Sequence, residues 1–361
     1  MLKSYKQHAQ KRYQQNLPPF PLDPAEVEEV VRCLEGGGDG SDELLELLAS
    51  RVEPVVSKGA KVKAAWLKSV ALGRVKVPSL TPEQAVGMLA QMGGGYNVEA
   101  LVELLEVDSL GECSAEALKG LIKVYDGFDR VAKLARDNNP YAISVIESWA
   151  RGEWFLEAAE LPGSISMKIY KVDGEINTDD FSPGNQAQSR ADIPLHATFF
   201  GISRFPDGIE TIKKFRSKNH QVAFCGDVVG TGSSRKSAVN SLLWHTGDDI
   251  PQVPNKRTGG VVFGSTIAPI FYATARDAGI LPVEAEVEKL STGSEVTLDL
   301  QRWSLKGQDG MEIPVRKAPE TLLDEYRAGG RLNLIIGKQL TRLACDFLGC
   351  DLPPVFKEVV N

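Results

Sequence analysis

The stretch "GDVVGTGSSRKSAVNSLLWH", Gly226 to His245, joins a short apolar segment, a turn containing two glycines and a longer segment of helical character. This order predicts a strand, a turn and a helix. Gly230 and Gly232 permit backbone angles that other residues disfavour. The first N–H groups of the helix would then point at whatever occupies the turn, so the stretch predicts an anion-binding turn.

The side chains of this turn narrow the kind of anion. Ser233 and Ser234 supply hydroxyl groups, and Arg235 supplies a planar, two-pronged donor that suits a carboxylate. The phosphate-binding P-loop and the dinucleotide fingerprint both require glycine at the position of Arg235, which excludes both motifs. A capped helix with a solvated arginine has the same pattern, so spacing alone leaves both interpretations open.

Composition places the chain among ordinary globular proteins. It has 361 residues, of which 42% are hydrophobic and 25% charged, enough for two or three domains. No apolar run approaches the roughly 18–20 residues that a membrane span needs. The N-terminus lacks the features of a secretory signal, so we expect a cytoplasmic protein with no membrane partner. The net charge of −7 gives no reason to expect a general polyanion binder.

The cysteines argue against a metal site within this chain. There are five, an odd number, and no pair has the spacing of a zinc or iron–sulfur site. We expect them to be small buried or half-buried hydrophobic residues in a reducing compartment, with no metal bound. They are Cys33, Cys113, Cys225, Cys345 and Cys350.

Residues 1–160 predict an all-α domain. Between about residues 20 and 157, helix starts recur every 15–25 residues or so, separated by glycine-rich turns. Several starts combine a capping side chain with proline at the first helical position: Asp23–Pro24, Thr81–Pro82 and Asn139–Pro140. Antiparallel helix pairs stacked into a short solenoid would give this spacing, so we predict a HEAT-like domain.

The pattern changes after residue 160. "SISMKIYKV", residues 164–172, alternates apolar and polar residues as a strand does. Short strands and short helices then follow in turn to the end of the chain. This alternation predicts an α/β domain over residues 161–361.

Three segments carry a resemblance to a known family. The G-x-G-S-S-R pattern resembles a signature in the swivelling domain of aconitases, most closely the bacterial aconitase B branch. "GEINTDDFSP" (Gly174–Pro183) resembles the N-T-D-D segment of the aconitase and isopropylmalate isomerase superfamily. "SRADIPLHA" (Ser189–Ala197) resembles an aconitase B segment that carries a substrate-binding arginine. The helical part before the α/β part also matches this branch, so the resemblance covers essentially the whole chain.

The resemblance implies two catalytic residues. Ser233 matches the serine that acts in the family as a base and removes the Cα proton of citrate or isocitrate. Asp179 matches a site aspartate, with Asp180 as the neighbour that could be confused with it. Plain structural roles remain open for both, since Ser233 could be a helix cap and Asp179 could cap a turn.

The resemblance also implies groups that bind substrate carboxylates. They are Arg190, Ser233, Ser234 and Arg235. Two arginines and a helix end would match a substrate of charge near −3. Arg190 could instead form a surface ion pair. The histidines His196 and His245 are predicted to be packed or exposed to solvent rather than catalytic.

In the family a [4Fe–4S] cluster binds the substrate hydroxyl, and its cysteine ligands lie in a separate region. The resemblance therefore implies the base and carboxylate clamps of a hydro-lyase that interconverts citrate and isocitrate, and possibly acts on 2-methylisocitrate. We expect this chain to be inactive alone and to work with cluster-bearing domains in the same or another chain.

Two other interpretations stay open. The chain could be a non-catalytic module that uses its helices to bind RNA, protein partners or a second copy of itself as a homodimer. It could also be a small subunit like that of isopropylmalate isomerase. The long helical leader argues against the small subunit, because such subunits lack it.

Overall fold

The computed structural model describes residues 2–37 and 40–357, which form two compact units. The first unit contains the residues up to Ala158, together with Pro251–Pro254 and those from Ile335 onward. The second contains Ala159–Ile250 and Asn255–Leu334. Within the described ranges, every helix is too short or too polar to cross a bilayer.

The first unit is built from helices. In chain order they are α1 Leu2–Gln14, α2 Pro24–Gly36, α3 Ser41–Ser50, α4 Lys58–Ala71, α5 Pro82–Ala90, α6 Tyr96–Leu104, α7 Gly111–Lys119, α8 Gly127–Arg136, α9 Pro140–Arg151 and α10 Glu153–Leu156. Helices α2, α4, α6 and α8 pack in one row, and α5, α7 and α9 pack in a second. The all-α prediction is confirmed, while the HEAT-like class stays a prediction.

Local capping explains where several of these helices begin. The Asp23 carboxylate accepts from the Glu26 N–H at 2.8 Å, and the Glu26 side chain accepts from the Asp23 N–H at 2.9 Å. Thr81 and Gln84 form the same reciprocal pair at the start of α5. Asn139 caps α9, as the sequence predicts. Each pair satisfies N–H groups that have no partner inside the helix.

The C-terminal residues group with the helices, which the sequence did not reveal. Leu340, Ala344 and Cys345 are buried in the same apolar core as α2 to α9. The Trp154 indole N–H donates to the Thr341 hydroxyl at 3.0 Å. The domain boundary at residues 160/161 stays a prediction.

The second unit is α/β, as predicted. Its strands are β1 Ser164–Asn177, β2 Gln221–Thr231, β3 Asp248–Asp249, β4 Arg257–Thr258, β5 Val261–Ile267, β6 Leu281–Glu284, β7 Glu295–Asp299, β8 Ser304–Gly307 and β9 Glu312–Ile313. The later helices are α11 Thr178–Phe181, α12 Ile193–His196, α13 Gly208–Arg216, α14 Arg235–Thr246, α15 Pro269–Asp277, α16 Leu322–Arg327 and α17 Arg331–Leu348, the last of which continues into the first unit.

The main sheet has the strand order β6-β5-β2-β1-β7-β8-β9. The pairs among β6, β5, β2 and β1 are parallel, and those from β1 to β9 are antiparallel. Alternate residues of β2 enter two different cores: Val222 and Phe224 face one, and Ala223 and Cys225 face the other. The sheet is therefore buried on both faces at β2, as parallel strands require.

His245 lies on the buried side of α14. It is 8% exposed, and its Nε2–H donates to the Ala197 carbonyl at 2.8 Å. Burial, together with the nearby positive charges of Lys213, Arg257 and Arg216, lowers the pKa of this imidazole to about 4. The ring is therefore neutral in the folded protein at neutral pH.

This burial predicts an acid-dependent loss of stability. An unfolded histidine titrates near pH 6.5, so the neutral ring contributes fully above that pH, and its contribution is lost as the pH falls toward about 4. We expect the free energy of unfolding in urea to fall by about 2 kcal/mol from this residue between about pH 7.5 and pH 5. His245→Gln should lose less stability over the same interval. An equal loss in the variant would contradict the assignment.

Candidate active site

The G-x-G-S-S-R turn and the N-T-D-D segment meet because β1 and β2 are parallel neighbours. The last residue of β1, Asn177, lies opposite Thr231 at the end of β2. The next residue, Gly232, has a φ of +103°. A Cβ on Gly232 would lie 2.5 Å from Asn177 Oδ1 and 2.7 Å from Thr178 Oγ1. Glycine is thus required here both for its backbone angle and for the close approach.

The two aspartates of the N-T-D-D segment have different environments. Asp180 Oδ2 accepts from the Asn177 N–H at 2.8 Å and lies 3.9 Å from Arg204, so this carboxylate holds the local backbone. Asn177 Oδ1 accepts from the Asp179 N–H at 2.9 Å. The Asp179 side chain is exposed, and within the described chain its carboxylate has no hydrogen bond or ion pair. Asn177 is therefore the cap and Asp180 completes the capping box, so Asp179 is not the capping side chain, and its site role stays a prediction.

Arg190 reaches the turn from the third segment. Its Nη2 donates to Ser234 Oγ at 2.8 Å, although the two residues are 44 positions apart. Its Nε is buried and has no hydrogen-bond partner among the described residues. The Ser234 N–H donates to Thr178 Oγ1 at 3.2 Å. All three segments that the sequence singled out therefore meet at Ser234.

The turn leads into the N-terminus of α14. Ser234 is the capping residue, so Ser233 is not the cap, and no side chain caps the first turn of the helix. Ser233 is exposed and Arg235 is half-buried; neither side chain has a hydrogen bond or ion pair within the described ranges. The first turn contains no acidic residue. Uncapped N–H groups, hydroxyls and guanidinium groups together form a setting for a carboxylate.

A buried polar network lies behind the turn. His196 is 2% exposed, with Nε2 2.7 Å from Ser182 Oγ and Nδ1 2.8 Å from Ser189 Oγ. Ser182 Oγ is also 2.7 Å from Ser237 Oγ, which donates to the Ser234 carbonyl at 3.1 Å. The prediction that His196 is packed holds, but its hydrogen bonds were missed. The sequence contained a signal for these bonds, because the partners Ser182, Ser189 and Ser237 lie within or beside the three matching segments.

The cysteines do not form a cluster site. Over residues 2–37 and 40–357 there is no group of three or more His, Cys, Asp or Glu side chains that could hold a metal ion. Cys225 is buried, and burial raises the pKa of its thiol to about 12. Cys33 and Cys350 are exposed, so the prediction of buried or half-buried cysteines is wrong for these two. The residues that the structure describes therefore do not fit a [4Fe–4S] cluster, which needs several thiolates converging on one point.

The geometry of the turn predicts the effect of a methyl group at Gly232. We expect Gly232→Ala to lower the free energy of unfolding by about 1–3 kcal/mol, because the new Cβ meets Asn177 and Thr178 at a positive φ. Gly293→Ala is the matched control, since Gly293 has a φ of +95° and nothing lies within 4 Å of its Cβ position. Urea unfolding of both variants measures the difference, and equal effects would contradict the close approach at Gly232.

Comparison with known proteins supports the motif assignment. A family model described as "Aconitate B N-terminal domain" matches residues 4–155, and one described as "Aconitate hydratase 2 N-terminus" matches residues 167–361. The small subunit 2 of 3-isopropylmalate dehydratase from Archaeoglobus fulgidus is 28% identical over 171 residues, covering 46% of this chain and 92% of that protein.

Longer relatives match the whole chain. Aconitate hydratase B of Synechocystis sp. is 44% identical over 360 residues, covering 99% of this chain and 41% of that protein. Aconitate hydratase B of Escherichia coli is 42% identical over 371 residues, with coverages of 99% and 43%. The chain spans about two fifths of the length of these relatives. It corresponds to their N-terminal region, and the chain belongs to the aconitate hydratase B family.

Proposed function

We propose that this chain supplies the base and the carboxylate-binding groups of a hydro-lyase site that interconverts citrate and isocitrate. The observation that carries the proposal is the contact between Arg190 and Ser234 at the uncapped N-terminus of α14. Three segments that are separate in the sequence, those of Thr178, Arg190 and Ser234, meet at this one position. Convergence of polar groups at a helix N-terminus is typical of an anion site.

The charges near the turn support a substrate with several carboxylates. Arg190 uses Nη2 for Ser234 and leaves a buried Nε without a partner in the described chain. Arg235 follows Ser234 directly and adds a second guanidinium group, which can bind a carboxylate through two parallel hydrogen bonds. Citrate, isocitrate and 2-methylisocitrate share the carboxylates that such groups would bind.

Ser233 is proposed as the base. A serine hydroxyl is a weak base, so its deprotonated form would need stabilisation by neighbouring donors. Ser233 lies immediately before the capping residue of α14. There the positive end of the helix dipole and Arg235 can stabilise the deprotonated hydroxyl group. Asp179, whose carboxylate is exposed, is proposed as the acidic group of the same site.

The proposed site needs a second part. Because the described part of the chain does not fit a [4Fe–4S] cluster, we expect the cluster in complementary domains, in the same chain or another. The cluster would supply the Lewis acid for the substrate hydroxyl, and this chain alone would be inactive. We propose that the two helical rows of the first unit are a HEAT-like solenoid.

The remaining sequence predictions are neither strengthened nor weakened. Self-association through the helices, RNA binding and a cytoplasmic location stay predictions. A role as a small subunit like that of isopropylmalate isomerase would leave the helical unit without a function. The hydro-lyase assignment uses both matched regions of the chain, residues 4–155 and 167–361.

Binding of citrate tests the carboxylate site directly. We expect Arg235→Met to weaken citrate binding roughly 10- to 100-fold, because a hydrogen-bonded charge pair is lost. Lys236→Met removes the same charge from the next, exposed position and should change affinity by less than about threefold. Isothermal titration calorimetry on the purified chain measures both. Equal weakening by the two variants would reduce the site to a diffuse positive charge.

Reconstitution tests the role of Ser233. We expect the chain to show no citrate–isocitrate interconversion alone and to gain it when mixed with the cluster-bearing portion of an aconitate hydratase B. Ser233→Ala should abolish turnover in the mixture, because the base is lost, and should weaken citrate binding less than Arg235→Met does, because a neutral hydroxyl group contributes less to binding than a guanidinium group. Turnover by Ser233→Ala, or an inactive wild-type mixture with an intact cluster, would contradict the proposal.

A further inference from the structure

The hydrogen-bond network around His196 is one chain of contacts between two backbone carbonyls. It runs from the Gln186 carbonyl through Ser189, the imidazole and Ser182 to Ser237, and ends at the Ser234 carbonyl. Its contacts are 2.8, 2.8, 2.7, 2.7 and 3.1 Å in that order. A buried histidine bonded at both nitrogens is fixed in position and in ring orientation.

A proton count shows that these contacts depend on one another. Five contacts need five protons, but three serine hydroxyls and a neutral imidazole supply only four. Burial and the positive charge of Arg190 lower the pKa of His196, so the ring is neutral at neutral pH. One contact must therefore lack a proton, and because Ser189 and Ser237 donate to the two carbonyls, it is one of the three contacts between them. The direction of each bond follows from which ring nitrogen carries the proton.

The end of the network at Ser234 is the point that the proposed function uses. The Ser234 carbonyl accepts the first bond of α14, from the Ala238 N–H at 3.0 Å, while its side chain receives Arg190. Ser237 is thus placed to fix the same residue from the side of the protein interior. A change at Ser237 would shift the donors that face a carboxylate.

We propose that His196 is a positioning residue for the carboxylate site, which acts through Ser182 and Ser237 to hold Ser234 and the first turn of α14 in the orientation that receives substrate. This inference rests on the proposed function, because that proposal identifies the turn as a carboxylate site. The contacts that carry it belong to the chain alone, so they can be tested without a substrate.

Two substitutions of His196 separate positioning from simple packing. An asparagine amide can replace Nδ1 and keep the bond to Ser189, whereas a glutamine amide reaches the place of Nε2 and keeps the bond to Ser182. If His196 acts through Ser182, His196→Gln should preserve the turn and His196→Asn should not. If His196 only fills space, the two substitutions should not differ in this way.

The first readout is the NMR spectrum of the full chain without ligand. We expect His196→Asn to shift the backbone amide signals of Ser233, Ser234 and Arg235, and His196→Gln to leave them close to wild type. His245→Gln is the matched control, because His245 is also buried and lies at the opposite end of α14. Equal shifts in the two His196 variants, or no shift in either, would overturn the inference.

The second readout is affinity for citrate. We expect His196→Asn to weaken binding about three- to tenfold, the effect of losing one orienting hydrogen bond, and His196→Gln to stay within about twofold of wild type. Ser237→Ala breaks the same link from a half-buried position and should match His196→Asn in both readouts. Ser237→Ala also tests the inference if His196→Asn fails to fold.

The two proposals fail in different ways. If the wild-type chain does not bind citrate, the proposed function is wrong in this form, and the NMR comparison still decides the positioning role. If citrate binding depends on Arg235 but is the same in wild type, His196→Asn and Ser237→Ala, the proposed function stands and the positioning role is wrong.

Discussion

The approach of Gly232 to Asn177 and Thr178 is the constraint on which the site depends. Parallel pairing of β1 and β2 brings both strand ends to the same edge of the sheet, and the missing side chain lets the two turns touch. The contact places Thr178 Oγ1 against the Ser234 N–H. Arg190 and Ser237 are then positioned relative to Ser234, because both bond to it.

The site is organised before any ligand binds. Arg190 is half-buried and directed by its bond to Ser234, and the network behind the turn is closed between two carbonyls. Preorganised hydrogen-bond donors stabilise a bound anion more strongly than mobile donors do, because binding does not have to order them. The exposed groups, Ser233 and Asp179, are those that chemistry would need to reach. Rigid support thus lies inside, and the proposed reactive groups lie at the surface.

Sequence reasoning succeeded where the signal is local or repeats a known motif. The caps at Asp23 and Thr81 follow from two or three neighbouring residues, and the glycine turn follows from its spacing. It missed relations that only tertiary structure creates. The place of α17 in the helical core and the partners of His196 depend on residues far apart in the chain, and propensity contains no information on such contacts.

The N-T-D-D segment shows how one motif separates folding from function. Asn177 Oδ1 accepts from the Asp179 N–H, Asp180 Oδ2 accepts from the Asn177 N–H, and Thr178 bonds to the neighbouring turn, so three of the four side chains are used to hold the fold. Only the Asp179 carboxylate is left without such a partner in the described chain. The Asp179 N–H is held by Asn177, so the backbone of this residue is fixed while its carboxylate is exposed. Three residues of the motif therefore stabilise the turn, and Asp179 is the one whose side chain the turn does not use.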